Sequence, residues 1–320
     1  MVLLGVCVEL FLKIVQTFSF SVRRRRLNRV FRSKGLGTYW PPVPLPSLNT
    51  NQLPSPNIDE YIREYLSLNL RIFPFLVETA SLGPKSLTLD FGCGFGTLAS
   101  AFASGSSQFG DYIGIDSNCK AIAFCKDAYS GHKEFRFGCL ERSASTNYVT
   151  NWGIRSAKQN FLKRKMTAPS KEELGQLLGA RQLDCQFSLS VFTHMWPDDS
   201  TEALRVFTSF SNQATRFVNS WLILDTFAAE RVREGKADRV LPISVGGIQT
   251  YSQLNPLLCT AYPIGLLEEV YSNAGHRILD ILYGSWAGRD NGVTYQDLVI
   301  SEKVYEPNPN SGWSRHRPSL

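Results

Sequence analysis

Two aspartates, three glycines and one histidine carry most of the chemistry this 320-residue chain can offer. Gly92, Gly94 and Gly96 alternate in Leu87-Thr88-Leu89-Asp90-Phe91-Gly92-Cys93-Gly94-Phe95-Gly96-Thr97. Without Cβ atoms such a stretch turns tightly and lets a ligand lie against bare peptide. Where a helix opens just after it, the N–H groups of the first turn face that ligand. Asp90 stands two residues before the first glycine, and Asp116 twenty residues after the third. A dinucleotide fingerprint needs G-x-G-x-x-G, whose third glycine would fall on Thr97. Further on, His194 ends Ser190-Val191-Phe192-Thr193-His194. An imidazole titrates near neutral pH and can accept a proton during reaction. Its alternative role is to hold its own loop by hydrogen bonds, and that of Asp116 is to cap the next helix.

These residues need short strands to carry them. Apolar runs predict strands over 86–91, 111–116, 134–140, 184–191, 216–227, 276–283 and 295–303. Helices are expected between them, from 98, over 118–129 and 200–214, and over 263–274 with Gly275 closing the last. Asn57 can cap a preceding helix over 58–80, whose Tyr61, Tyr65, Leu68, Ile72 and Leu76 follow the helical period. Two connections are long, 143–183 and 228–261, and read as a substrate lid. The first includes a helix capped by Ser170 with Glu173. In open α/β sheets ligands bind beyond the carboxyl ends of the strands, which is where the glycine turn, Asp116 and His194 all fall.

The glycine turn with Asp116 resembles motif I of class I S-adenosylmethionine-dependent methyltransferases. Ser190-Val191-Phe192-Thr193-His194 resembles the S-V-F-T-H turn of one branch, and Gly284-Ser285-Trp286-Ala287-Gly288-Arg289 with Tyr295-Gln296-Asp297 resembles its terminal hairpin. The resemblance covers about residues 58–303. It implies a seven-stranded, mostly parallel Rossmann-like α/β sheet with helices on both faces and a last antiparallel strand. It also implies an enzyme whose cofactor is S-adenosyl-L-methionine, bound by Asp90, Gly92, Gly94, Gly96, Asp116 and Ser190, with Asp116 on the ribose hydroxyls. Tyr61 and Tyr65 would lie against the cofactor, and Glu141 is a displaced candidate for its adenine amine. His194 would be the catalytic base if the acceptor is a hydroxyl. The branch points to a glycan or lipid-linked acceptor. The alternatives are N-methylation of a soluble small molecule and a catalytically silent cofactor-binding adaptor. The turn lacks [DN]-P-P-[FYW], which counts against methylation of a nucleobase amine.

Net charge is +6, but residues 1–34 hold eight of the 34 Lys/Arg and one of the 28 acids. The remainder therefore carries 26 bases against 27 acids, so no nucleic acid partner is expected. Residues 2–22 are apolar apart from one helical stripe, and arginines follow at 23–26, 29 and 32. That pattern suits a helix lying on an anionic membrane surface, with the body peripheral on its cytoplasmic side; packing on the body or on a partner is the alternative. A proline-rich linker is expected over 35–56, a methyltransferase domain over 57–304, and a disordered tail over 305–320. The seven cysteines, at 7, 93, 119, 125, 139, 185 and 259, show no paired spacing. They predict neither a metal site nor a disulfide framework, and a reducing compartment.

Overall fold

The computed structural model describes residues 72–103, 106–140, 168–292 and 294–304. The segment 1–34 expected on a membrane surface, the expected linker and tail, Tyr61, Tyr65 and Glu141 lie outside them. Helix α1 (Phe73–Thr79) precedes strand β1 (Leu87–Phe91), and α2 (Thr97–Ala103) and the short α3 (Ser106–Phe109) lead to β2 (Asp111–Asp116). Helix α4 (Cys119–Ala128) leads to β3 (Phe135–Cys139), and α5 (Lys171–Leu178) to β4 (Leu183–Ser188). Helix α6 (Pro197–Thr208) leads to β5 (Ser211–Trp221). After the second excursion come α8 (Ile264–Asn273), β10 (His276–Leu282) and β11 (Asp297–Lys303).

The main sheet has the order β10-β11-β5-β4-β1-β2-β3. Its five strands β5, β4, β1, β2 and β3 are parallel, and β11 runs antiparallel between β5 and β10. This is the expected seven-stranded, mostly parallel Rossmann-like sheet with its last strand reversed. Every residue of β1 is buried, as a central strand covered on both faces requires. Leu87, Leu89 and Phe91 pack with Phe207, Leu204, Leu267 and Val270 on one face. Tyr112, Phe137 and Val218 pack with Phe102 and Ile122 on the other. Each such side chain contributes about 1.5–3 kcal/mol by leaving water.

Several boundaries differ from expectation; the helix expected to 214 ends at Thr208, and the strand expected from 216 begins at Ser211. Strand β4 stops at Ser188 rather than 191, because Ser190 takes a positive φ of 57° and Phe192–His194 closes into a 3₁₀ turn. Helix α6 starts at Pro197, not 200, since proline is preorganised for the first helical position. The apolar run to 227 is not one strand. Strand β5 ends at Trp221, β6 (Ile223–Leu224) joins another sheet, and Asp225 caps a helix, α7 (Thr226–Arg233), by accepting from the Ala228 N–H at 2.9 Å. The second excursion is thus ordered. With β7 (Ile243–Val245), β8 (Ile248–Thr250) and β9 (Thr260–Pro263) it forms a four-stranded sheet, β6-β9-β8-β7. No helix among the described residues is long and apolar enough to cross a membrane.

Candidate active site

The sheet order reverses between β1 and β4, and their carboxyl ends carry the glycine turn and the S-V-F-T-H turn side by side. Gly92 is where they touch. Its φ is +83°, and a Cβ there would stand 2.2 Å from Cγ2 of Val191. The Gly92 N–H donates to the Ile115 carbonyl at 2.7 Å, anchoring the turn to β2. Gly94 (φ +52°) has open space on the side where its Cβ would be, and Tyr129 Oη donates to the Gly96 carbonyl at 2.7 Å. The turn is therefore braced from below and behind, with bare peptide facing outward.

Asp116 straps this turn to the next element. One carboxylate oxygen accepts from the Gly94 N–H at 2.8 Å and the other from the Asn118 N–H at 2.7 Å. Capping of α4 falls to Asn118, whose side chain accepts from Ala121 N–H at 3.2 Å. Burial raises the Asp116 carboxyl, and these N–H groups oppose that shift. The Ser117 backbone also acts on the carboxylate; three donors against about four lone-pair sites leave capacity for a ligand hydroxyl. Turn and acid together fit a ligand bearing a diol.

Asp90 is placed differently. It is 3% exposed and accepts the Tyr112 hydroxyl. Burial pushes it up to about 7, the Tyr112 bond opposes this, and the charge of Asp116 adds to it. It lies beneath the turn, on the face that packs against Tyr112. Ser190 is also committed within the protein: its N–H donates to Ser220 Oγ at 2.7 Å and its hydroxyl to Gln296 Oε1 at 3.1 Å.

Cys119 and Cys139 form a disulfide, which corrects the expectation of unpaired thiols. Sequence spacing hides the pair because the sheet makes it: Asp116 and Cys139 are register partners on β2 and β3, and Cys119 opens α4 three residues later. The bridge therefore borders Asp116.

On the other side of the reversal, His194 Nδ1 lies 2.9 Å from the Leu257 carbonyl, in the second excursion. The ring also meets the Leu258 backbone. Burial lowers its pKa, the Leu257 and Leu258 backbone opposes that, and the charge of Arg239 adds to it. The ring is thus neutral at pH 7 and suited to accept a proton. Trp196, next along the turn, packs under the β7–β8 hairpin, where a Cβ on Gly246 would stand 3.1 Å from its Cζ3.

The terminal hairpin completes this side, and its residues were legible only as a resemblance. Tyr295, Gln296 and Asp297 each hold a different partner. Gln296 Oε1 accepts from Ser220 Oγ at 2.6 Å as well as from Ser190. Asp297 is fully buried and accepts from Gly284 N–H, Ile223 N–H and Trp286 Nε1–H at 2.6–2.7 Å. Burial pushes it up to about 6 against the pull of those donors. Gly284 must be glycine, because a Cβ would meet the Tyr295 carbonyl oxygen at 2.4 Å. Arg289 pairs with Asp225 and lies between the Phe227 and Tyr283 rings, 4.4 and 4.3 Å from their centroids. Ser220 and Arg239 were not singled out by any sequence signal. A cavity of about 730 Å³ between α5 and α6, lined by Ser170, Glu172, Asp198, Glu202 and Arg205, includes neither the glycine turn nor His194.

No family model matches the chain. It is similar to the structure of an S-adenosylmethionine-dependent methyltransferase from Clostridium acetobutylicum, at 14% identity over 77% of this chain and 95% of that one, with a TM-score of 0.46. Magnesium protoporphyrin IX methyltransferase from Synechocystis, solved with bound S-adenosylhomocysteine, gives 12%, 91% and 99%, and 0.44. DesVI of Streptomyces venezuelae gives 15%, 75% and 92%, and 0.46. At such values the fold assignment rests on the strand order and register themselves.

Proposed function

We propose that the protein is a methyltransferase that moves the methyl group of S-adenosyl-L-methionine to a hydroxyl of a polar acceptor, a glycan or a lipid-linked intermediate. The observation that carries this reading is Asp116, which ends β2 and accepts from the Gly94 and Asn118 N–H groups at 2.7–2.8 Å, beside the glycine turn that follows β1. The open peptide around Gly94 would hold the cofactor's amino-acid end, and Asp116 its ribose diol. Asp90 would act from beneath, keeping the turn in shape through Tyr112. The bound cofactor supplies an activated methyl on sulfur, so the chain's own task is to position the acceptor and exclude water. In this reading His194 accepts the acceptor's proton, while its Nδ1 contact with the Leu257 carbonyl fixes the ring. Trp196 and the β7–β8 hairpin cover that side. Ser190 supports the site through Gln296 and Ser220.

The test is incubation of the full chain with methyl-labelled S-adenosylmethionine and, separately, polar-metabolite, glycan and lipid extracts. Label entering a base-stable ether in the glycan or lipid fraction is expected. Label only on amines would replace the hydroxyl reading, and cofactor binding without any transfer would leave an adaptor.

A further inference from the structure

Nine arginines lie among the described residues, and eight of them are neutralised or fully engaged by the protein. Arg136, Arg181, Arg205, Arg216, Arg233, Arg277 and Arg289 pair with carboxylates, and Arg231 donates to the Ala287 and Lys236 carbonyls. Arg239 differs. Its Nε donates to the Tyr295 hydroxyl at 3.2 Å, and its guanidinium carbon stands 6.0 Å from the Tyr295 ring centroid. It has no carboxylate partner among the described residues, and its side chain is exposed.

Its position gives this meaning. Tyr295 precedes Gln296, which holds the S-V-F-T-H turn through Ser190, and Leu257, which receives His194, is two residues before Cys259. The charge of Arg239 reaches His194, Cys259 and Tyr251. Tyr295 is 41% exposed, so the ring that meets Arg239 is open to solvent. A guanidinium is a rigid fork of donors matched to carboxylate and phosphate. A flat phenol face beside it suits the apolar face of a sugar ring.

We propose that Arg239, with Tyr295, binds a carboxylate or phosphate that the acceptor carries near the methylated hydroxyl, so that the substrate class is an acidic saccharide. This rests on the methyl-transfer reading above and narrows its acceptor. A uronate and a sugar phosphate present the same chemistry to the fork, and the test separates them.

Binding of trigalacturonate and of glucose 6-phosphate to the full-length protein would be measured by saturation-transfer NMR titration, with maltotriose and glucose as their neutral counterparts. At least one acid should bind tenfold or more tightly than its neutral counterpart, the carboxylate arm identifying a uronate and the phosphate arm a sugar phosphate. Arg239→Ala should abolish that preference and Arg239→Lys keep part of it, while both leave affinity for S-adenosylmethionine within about twofold. Equal or undetectable binding of acid and neutral sugars overturns the proposal, as does a preference that survives Arg239→Ala. The cofactor titration is read independently: a protein that prefers the acids but ignores S-adenosylmethionine keeps the anion site and loses the methyl-transfer reading.

Discussion

Substituting Gly92 by alanine should disturb two motifs at once, and the structure allows the two contributions to be separated. At φ +83° the added methyl places an L-residue in left-handed backbone, at a cost of about 1–2 kcal/mol. The same methyl would stand 2.2 Å from Val191 Cγ2. Val191 is buried and stiff at χ1, so relief must come from moving the S-V-F-T-H turn, worth about 1–3 kcal/mol by comparison with overpacked cores. Gly92→Ala alone should therefore cost roughly 2–5 kcal/mol. Val191→Ala alone should cost about 1.5–3 kcal/mol for lost burial and the space it leaves. In the double variant the clash with Cγ2 is gone, while the backbone penalty of Gly92→Ala and the loss at Val191 remain. Urea unfolding of the four proteins gives the coupling, expected at about 1–3 kcal/mol in favour of the pair. Additivity within about 0.5 kcal/mol would refute the contact and with it the packing of the two turns against each other.

Three other outcomes are expected. Asp116→Ala should weaken S-adenosylmethionine binding by about 2–4 kcal/mol, roughly 30- to 700-fold in Kd by calorimetry; unchanged affinity in a folded variant would remove the ribose role. His194→Ala should lower kcat by about 10²–10⁴ with cofactor affinity retained. Because burial moves this imidazole below its ordinary 6.5, wild-type activity should hold at neutral pH and fall only below that value as the base protonates. A stable variant with near-normal turnover would exclude the base. Asp297→Asn must turn an amide NH₂ toward at least one of three donors, costing about 1–3 kcal/mol in thermal or urea unfolding; an unchanged midpoint would show that the triad of bonds is not maintained.

How much of this was legible in the sequence follows from what each feature depends on. The glycine turn, Asp116 and the parallel strands rest on local patterns, alternate glycines and short apolar runs, and they emerge where expected. The stretch Trp221–Phe227 misled because Trp221, Leu222, Ile223 and Leu224 are all buried, yet in two different sheets with a helix after them. Apolarity reports burial and is silent about which surface does the burying. The Cys119–Cys139 bridge and the Ser190–Gln296–Ser220 bonds are products of strand register, with separations of 20 and 106 residues for the outer pairs. The place of Asp90 before the glycines is legible in the sequence, and the hydrogen bond it makes inside the protein is not. Its partner Tyr112 is 22 residues away on β2, and the alternation of β1 turns Asp90 toward it.

Strand β11 is the last made and yet lies inside the sheet, between β5 and β10. This imposes an order on the protein's birth. The turn at Ser190 leaves the ribosome 106 residues before Gln296, an interval of roughly 5–20 s at ordinary synthesis rates. The β1–β3 half, with Asp116 and the glycine turn, can assemble during that wait. From the synthesis of Trp221 until β11 is made, β5 exposes an unpaired edge, the kind of surface on which nascent chains stick to one another. A chain interrupted before Asp297 would thus carry a complete β1–β3 half, with Asp116 and the glycine turn, beside an open sheet.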